Sequence, residues 1–394
     1  MANLFTGIVR QHFLDKIQMN LEKTTIAPEL VEMIDIPNGT TKNLPYVNRN
    51  RPTNYTAYST QTPVDIVTAV DQLVITDCPM LTYDIDELDY EDNYINVQSQ
   101  IQSDASYMLR SAVDGDILNQ ALQANNVYNS NGLNGAGTTP VVLTTGASSN
   151  ISTVFGQSRA VIVNAGSNTE NVKLVADAFV LNDFNTVGLQ NGFNVADESF
   201  RRGYRWPFLG MSVYESGNLT ASTVFDMTLN VTAGEYISIF GQVFTFVATI
   251  GATPWNVLIG GSIAASLTNL AAAINLSAGG GTTYIAQADT SVLYGVSAVA
   301  GATTLTITSK RGRMYPVSSN VGTNDFQAET LVCFVGEKGA IKLSLRDSVR
   351  MKEKEVGKNL VTTILIWSRY GIKTTTRGKA RMCRVLVQAT PAEA

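Results

Sequence analysis

Tyr83-Asp84-Ile85-Asp86-Glu87-Leu88-Asp89-Tyr90-Glu91-Asp92 leads into apolar or small residues at Val97, Ile101, Ala105, Met108, Ala112, Ile117 and Ala121. This spacing puts one stripe on one face of a helix, and carboxylates at a helix start complement its dipole. Running from Asn93 to Asn125, such a helix would be about 45 to 50 Å long at roughly 1.5 Å per residue. A helix of that length with a narrow stripe spans a molecule rather than hiding inside it. Asn125-Asn126 and the Asn- and Gly-rich run from Asn129 to Gly137 end it.

Upstream, residues 6–23 carry Val9, Phe13, Ile17 and Leu21 at spacings of four with polar residues between, an amphipathic helix that needs something to pack on. Its partner is expected to be a neighbouring copy or the long helix, with Phe13 and Ile17 at the contact. Val31 to Ile36 reads as a strand ending at the turn Pro37-Asn38-Gly39, and Leu73 to Thr76 as a returning strand. Between them Pro45, Pro52 and Pro63 bar a central-strand role, and a loop of that length is more often functional than inert. It holds Lys42, Arg49 and Arg51, whereas Asp84, Asp86, Glu87 and Asp89 belong to the densest acidic run of the chain.

Downstream, residues 151–220 mix short strands and helical stretches, and then the composition shifts. No Lys or Arg occurs from Trp206 to Ser309. Alternation at Tyr236, Ser238 and Phe240 and at Val243, Thr245 and Val247 indicates strands, Ala264 to Leu276 a helix, and Thr304 to Thr308 another strand. These features describe a small α+β unit over about 223–317, within the range of domain sizes. Its uncharged stretch contains Gly260, Gly261, Ser262, Ser266, Thr268 and Asn269, which argue against a membrane helix. From Leu331 onward the chain is strand-rich and basic.

At roughly 100 to 200 residues per domain, 394 residues allow two to four domains, and 44% hydrophobic residues suffice for a real core. The formal charge is −5, from 28 basic and 33 acidic residues, so the chain as a whole is no polycation for coating nucleic acid. The charge is uneven: residues 1–125 carry 7 basic and 17 acidic side chains, 126–309 carry 5 and 9, and 310–394 carry 16 and 7. Opposite charge on different parts suits head-to-tail association of copies as well as internal pairing. Cys78, Cys333 and Cys383 have neither a disulfide-framework nor a zinc-ligand spacing, and a reducing compartment is the simplest reading. The start has no basic segment followed by an apolar one, so no signal peptide is expected.

A hydrolase built on Ser/His/Asp or Cys/His needs a histidine, and the only one, His12, lies on the polar side of the terminal helix. No Gly-rich loop is followed by Lys-Ser/Thr, and the acidic run lacks the central glycine of a calcium loop. No catalytic residue, metal ligand or cofactor is therefore expected, although a carboxylate-only hydrolase stays open as the weakest reading.

The order of these segments resembles the major capsid proteins of tailed bacteriophages, with the Hong Kong phage fold. Gly39-Thr40-Thr41-Lys42-Asn43-Leu44-Pro45-Tyr46 resembles the opening of that family's extended loop, and Tyr83 to Asp89 the lead into its spine helix. Gly203-Tyr204 and Leu209 to Leu219 resemble its strand before a Ser-x-Asn-Leu turn. The resemblance covers about 1–220 and 320–394.

It implies an α+β fold with an N-terminal arm at 1–30, an extended β-hairpin loop with flanking peripheral-domain strands at 31–80, and a spine helix at 81–125. The first part of the axial domain is placed at 126–222, an inserted surface domain at 223–317, and the axial and peripheral return at 318–394. It further implies self-assembly as pentamers and hexamers into an icosahedral shell around double-stranded DNA held without sequence specificity. The site would be the virion capsid, assembled in the host cytoplasm without a membrane. Partners would be a separate scaffolding protein, since the arm is short, together with a portal protein and room for a decoration protein. One branch crosslinks a loop lysine, but Lys42 alone predicts no crosslink. In the family the loop lies across a neighbour, so Arg49 and Arg51 are expected to meet the neighbour's Asp84–Asp92 run. An encapsulin-like compartment and a phage tail or adhesin protein are the alternatives.

Overall fold

A computed structural model describes residues 27–37, 39–47, 68–86, 101, 104–105, 107–144, 148–190, 208–286, 291–314, 317–321, 325–355 and 361–389. The chain divides into two compact units, residues 1–110 with 339–378 and residues 111–338 with 379–394. No helix among the described residues is long and apolar enough to cross a membrane.

The first unit is built on a four-stranded sheet. Its two long strands, Ile341–Glu355 and Val361–Thr374, pair antiparallel, with a break in register between Leu345 and Arg350. Val31–Met33 adds in parallel on one side and Met80–Asp86 antiparallel on the other. Alternation turns Leu81, Tyr83, Ile364 and Ile366 to one face, where they pack on the helical residues Ile101, Ala105 and Leu109. The expected spine-helix segment starts at residue 81, so residues 81–86 fall in it ahead of the helix expected from Asn93. They form a strand instead, because Leu81, Tyr83 and Ile85 alternate with Thr82, Asp84 and Asp86, a period of two rather than 3.6. A separate two-stranded ribbon, Thr41–Val47 with Thr68–Val74, is the described part of the loop. Pro45 fits there because a ribbon has only edge strands.

The second unit holds the C-terminal part of the long helix, through residue 119, where Ala112, Val113, Ile117 and Leu118 are buried. A 3-10 turn, Gln120–Gln123, and extended Ala124 close it, close to the expected end at Asn125. A ten-stranded sheet follows, whose path runs from Val296–Ala300 through Thr304–Ser309, Ala221–Asp226, Glu329–Glu337 and Met382–Ala389 to Asn126–Asn129 and Gly132–Leu133. The helix Ile151–Asn164 buries Ile151, Val154, Phe155 and Ile162.

The uncharged region has its own four-stranded sheet, with a path through Asn256–Leu258, Gln242–Val247, Tyr236–Ile239 and Val317–Ser319. Its helix, Ile263–Ile274, begins where the Ser262 side chain accepts a hydrogen bond from the Ala265 N–H. One hydrophobic core, drawn from Phe225 to Phe326, fills it. The limits expected at 223 and 317 cut through strands: 223 lies inside Ala221–Asp226, and 317 begins a strand that pairs with Tyr236–Ile239.

Candidate functional site

The two-stranded loop ribbon has one side exposed along its length. Opposite residues in an antiparallel pair share a face, so Thr41, Asn43, Pro45, Val47, Thr68, Val70 and Gln72 form one side, with Thr41 opposite Val74 at its base. All seven are exposed, with Val70 56% and Val47 44% accessible. The other side carries Leu44, Tyr46, Ala69, Asp71 and Leu73. Leu73 is fully buried with Ile36 and Ile75, and Leu44 packs against them, which fixes the base of the ribbon to its own unit.

Polar contacts hold the same side. The Asp71 carboxylate accepts hydrogen bonds from the Thr376 N–H and Oγ1, each at 2.7 Å. The Arg377 guanidinium stands 5.9 Å from the Tyr46 ring centre. Lys42 Nζ donates to the Asp35 carbonyl at 2.8 Å, and Arg346 donates to the Gly39 carbonyl. At Gly371 the chain passes so close that a Cβ would collide with the Val74 carbonyl, so only glycine fits.

Lys42 is thus a hydrogen-bond donor at the ribbon base. Asp84 is an exposed strand residue that accepts from Thr363 Oγ1 at 2.6 Å, and Asp86 stands opposite Val361 in the same pairing. Phe13, Ile17, Arg49, Arg51, Glu87 and Asp89 lie outside the described residues. No sequence pattern signals the Asp71–Thr376 and Tyr46–Arg377 contacts, because over three hundred positions separate the partners and no local period links them. Tyr83, by contrast, donates to Asp104 at 2.5 Å across the packed helix, and burial together with that carboxylate raises its phenol above the ordinary range.

Among the described residues there is no group of three or more His, Cys, Asp or Glu side chains placed to hold a metal ion. Burial raises the Cys333 and Cys383 thiols to about 12, which leaves neither a ready nucleophile.

No family model matches the chain, and no curated protein matches it. Among solved structures it is similar to one of Mycobacterium phage Bobi, at 11% identity and TM-score 0.48, covering 93% of this chain and 91% of that one. It is also similar to the capsid of cyanophage P-SCSP1u, at 11% identity and TM-score 0.46, over 94% and 89% of the two chains. A third is the mature capsid of bacteriophage PhiM1, at 9% identity and TM-score 0.45, over 91% and 85%.

Proposed function

We propose that this chain is a major capsid protein, whose work is assembly rather than catalysis. The observation that carries the reading is the loop ribbon: one side is anchored by Leu73, Asp71 and Tyr46, and the other is wholly exposed with Pro45, Val47 and Val70 on it. A two-stranded ribbon is marginal by itself, and an anchored one whose exposed side sets Pro45, Val47 and Val70 among Thr, Asn and Gln side chains is suited to lie on another molecule. The segment order set out above supports the same reading.

In this reading copies associate as pentamers and hexamers into an icosahedral shell that encloses double-stranded DNA. Assembly takes place in the host cytoplasm with a separate scaffolding protein, a portal protein and, in some shells, a decoration protein. The N-terminal arm packs through Phe13 and Ile17. Arg49 and Arg51 of the loop meet a neighbour's acidic run from Asp84 to Asp92, with Asp86 and Glu87 at its centre. An exposed pair of this kind contributes only about 0 to 1 kcal/mol, but repetition over every contact biases register and assembly rate.

Electron microscopy of purified native particles tests the assignment. Closed isometric shells with this chain as the dominant protein and DNA inside are expected. Shells holding enzyme instead of DNA would favour a compartment, and tubes or fibres a tail protein. Replacing Arg49 and Arg51 by Glu should suppress shell formation, with partial rescue by Asp86→Lys and Glu87→Lys in the same chain.

A further inference from the structure

The loop ribbon has two edges, and its hydrogen-bond ladder decides which backbone groups each edge presents. Opposite residues of an antiparallel pair alternate between pairs that exchange hydrogen bonds and pairs that exchange none, whose N–H and C=O groups point away from the other strand. One step beyond the Thr41–Val74 pair, the Ile75 N–H donates to the Thr40 carbonyl at 2.8 Å, which sets the phase. The bonded pairs are then Lys42 with Leu73, Leu44 with Asp71 and Tyr46 with Ala69. Thr41, Asn43, Pro45 and Val47 therefore turn their backbone outward on one edge, and Thr68, Val70, Gln72 and Val74 on the other.

The two edges differ in how they are closed. Pro45 stands at an outward position without an N–H, and its ring obstructs an incoming strand. In the second unit, the edge strand Val296–Ala300 is closed by the Asn275 side chain, which bonds both backbone groups of Ala298. The edge from Thr68 to Gln72 has no such block. Thr68–Val74 contains no Pro, Lys or Arg, and its single carboxylate, Asp71, turns to the other side of the ribbon and accepts from Thr376. Thr68, Val70 and Gln72 are exposed, and none of their backbone N–H groups has an acceptor among the described residues. The open stretch ends at Val74, where Gly371 passes against the carbonyl. An uncharged edge of this kind is a template for another strand, which is why proteins block the edges they do not use.

We propose that this edge pairs with the same edge of a second copy, antiparallel about a two-fold axis that passes between the two Val70 residues, so that two ribbons join into one four-stranded sheet. The edge is its own complement. In this register Val70 meets Val70 and Thr68 meets Gln72, all outward N–H and C=O groups from 68 to 72 are used, and the Thr68 hydroxyl lies beside the second copy's Gln72 amide. Moving the axis by one residue, to Asp71, would use fewer outward groups and set Asp71 directly opposite Asp71, a like-charge pair that destabilises the contact. A two-fold contact closes on itself, so the pairing gives a dimer link rather than a growing fibre. It rests on the proposed self-association of copies, and it uses the edge of the ribbon where the capsid reading uses its exposed side.

The test uses the full chain with Cys78→Ser, which removes the exposed thiol and leaves buried Cys333 and Cys383 in place. In that background Val70→Cys puts two thiols in a bonded pair with Cα atoms about 5.5 Å apart, within the reach of a disulfide. Thr68→Cys alone leaves its two thiols about 14 Å apart along the sheet, beyond that reach. Mild oxidation of assembled particles should therefore join Val70→Cys subunits into dimers and leave Thr68→Cys subunits single, whereas Thr68→Cys combined with Gln72→Cys should join again. Val70 makes no bond to Thr41–Val47, so Val70→Pro removes only the outward N–H. Added to the Thr68→Cys, Gln72→Cys variant, it should lower the dimer yield roughly tenfold or more, with unchanged circular dichroism. The pairing is overturned by shells of normal yield without the Val70→Cys dimer, by equal joining through Thr68→Cys alone, by joining to a different polypeptide, or by a yield indifferent to Val70→Pro. Those results leave the capsid reading standing, while dimers from a chain that never forms shells would overturn that reading alone.

Discussion

Asp71 shows how much one side chain settles about the loop. Its two oxygens hold the first residue of the short helix Thr376–Ala380 and so tie the ribbon to the C-terminal return. Asp71→Ala should cost about 0.5 to 1.5 kcal/mol, the net range for an ordinary hydrogen bond, because both donors are exposed. A melting curve of the purified subunit reads that loss, and Asp71→Glu should recover little because its carboxylate sits one methylene further out. Asp183 works in the opposite sense. Burial raises its carboxyl above the ordinary range, so the folded state disfavours the charged form. Above the raised value both states are ionised and the fold bears the full cost. As pH falls through the raised value toward the unfolded one the cost disappears, because the folded state takes up its proton first. Asp183→Asn should therefore melt higher than the parent at pH 7, and the two curves should converge at acid pH below the ordinary carboxylate range. A constant difference at all pH values would assign the effect to packing instead.

At the scale of elements, legibility followed the period of the pattern. The helical residues 107–119 and the helix Ile263–Ile274 are legible because their apolar residues recur every three to four positions over more than two turns. The strand Met80–Asp86 carries an equally clear period of two, but the dense carboxylates of Asp84 to Asp92 equally suit a helix start. What no local pattern reports is how an edge is closed. Val296–Ala300 is the first strand of the ten-stranded sheet, with Val299 70% exposed. Asn275, just after the helix, donates Nδ2 to the Ala298 carbonyl at 2.7 Å, and its Oδ1 accepts from the Ala298 N–H at 2.8 Å. One amide thus takes the place of the missing neighbour strand and blocks strand addition. Asn275→Ala should leave both backbone groups open, lower stability by about 1 to 3 kcal/mol and make light scattering rise with protein concentration. Scattering that stays flat at the highest concentration reached would show that the helix alone protects the edge.

At the scale of the molecule, the uncharged region is both a body of its own and a part of the sheet it leaves. Its core runs from Phe225 to Phe326 without a contribution from elsewhere in the described chain, as an autonomous unit requires. Its strand Ala221–Asp226, however, pairs on one side with Thr304–Ser309 and on the other with Glu329–Glu337, at Ser222 with Thr330 and Ala221 with Leu331. The change in composition located the region, but composition could not show that the boundary falls within a shared strand. The consequence is measurable. A fragment of residues 221–326 keeps Phe326, whose ring centre lies 4.9 Å from that of Phe225, as well as buried Val321 and the strand Val317–Ser319 that closes its inner sheet. A fragment of 223–317 loses all of these, and removal of one buried phenylalanine alone costs about 3 to 5 kcal/mol. The longer fragment should therefore melt in one cooperative transition, and the shorter one should show a broad, weak transition or none. Equal melting of the two would mean that the inner sheet is stable without its last strand. A flat curve for both would mean that the region depends on Glu329–Glu337, and hence that it folds only with the sheet around it.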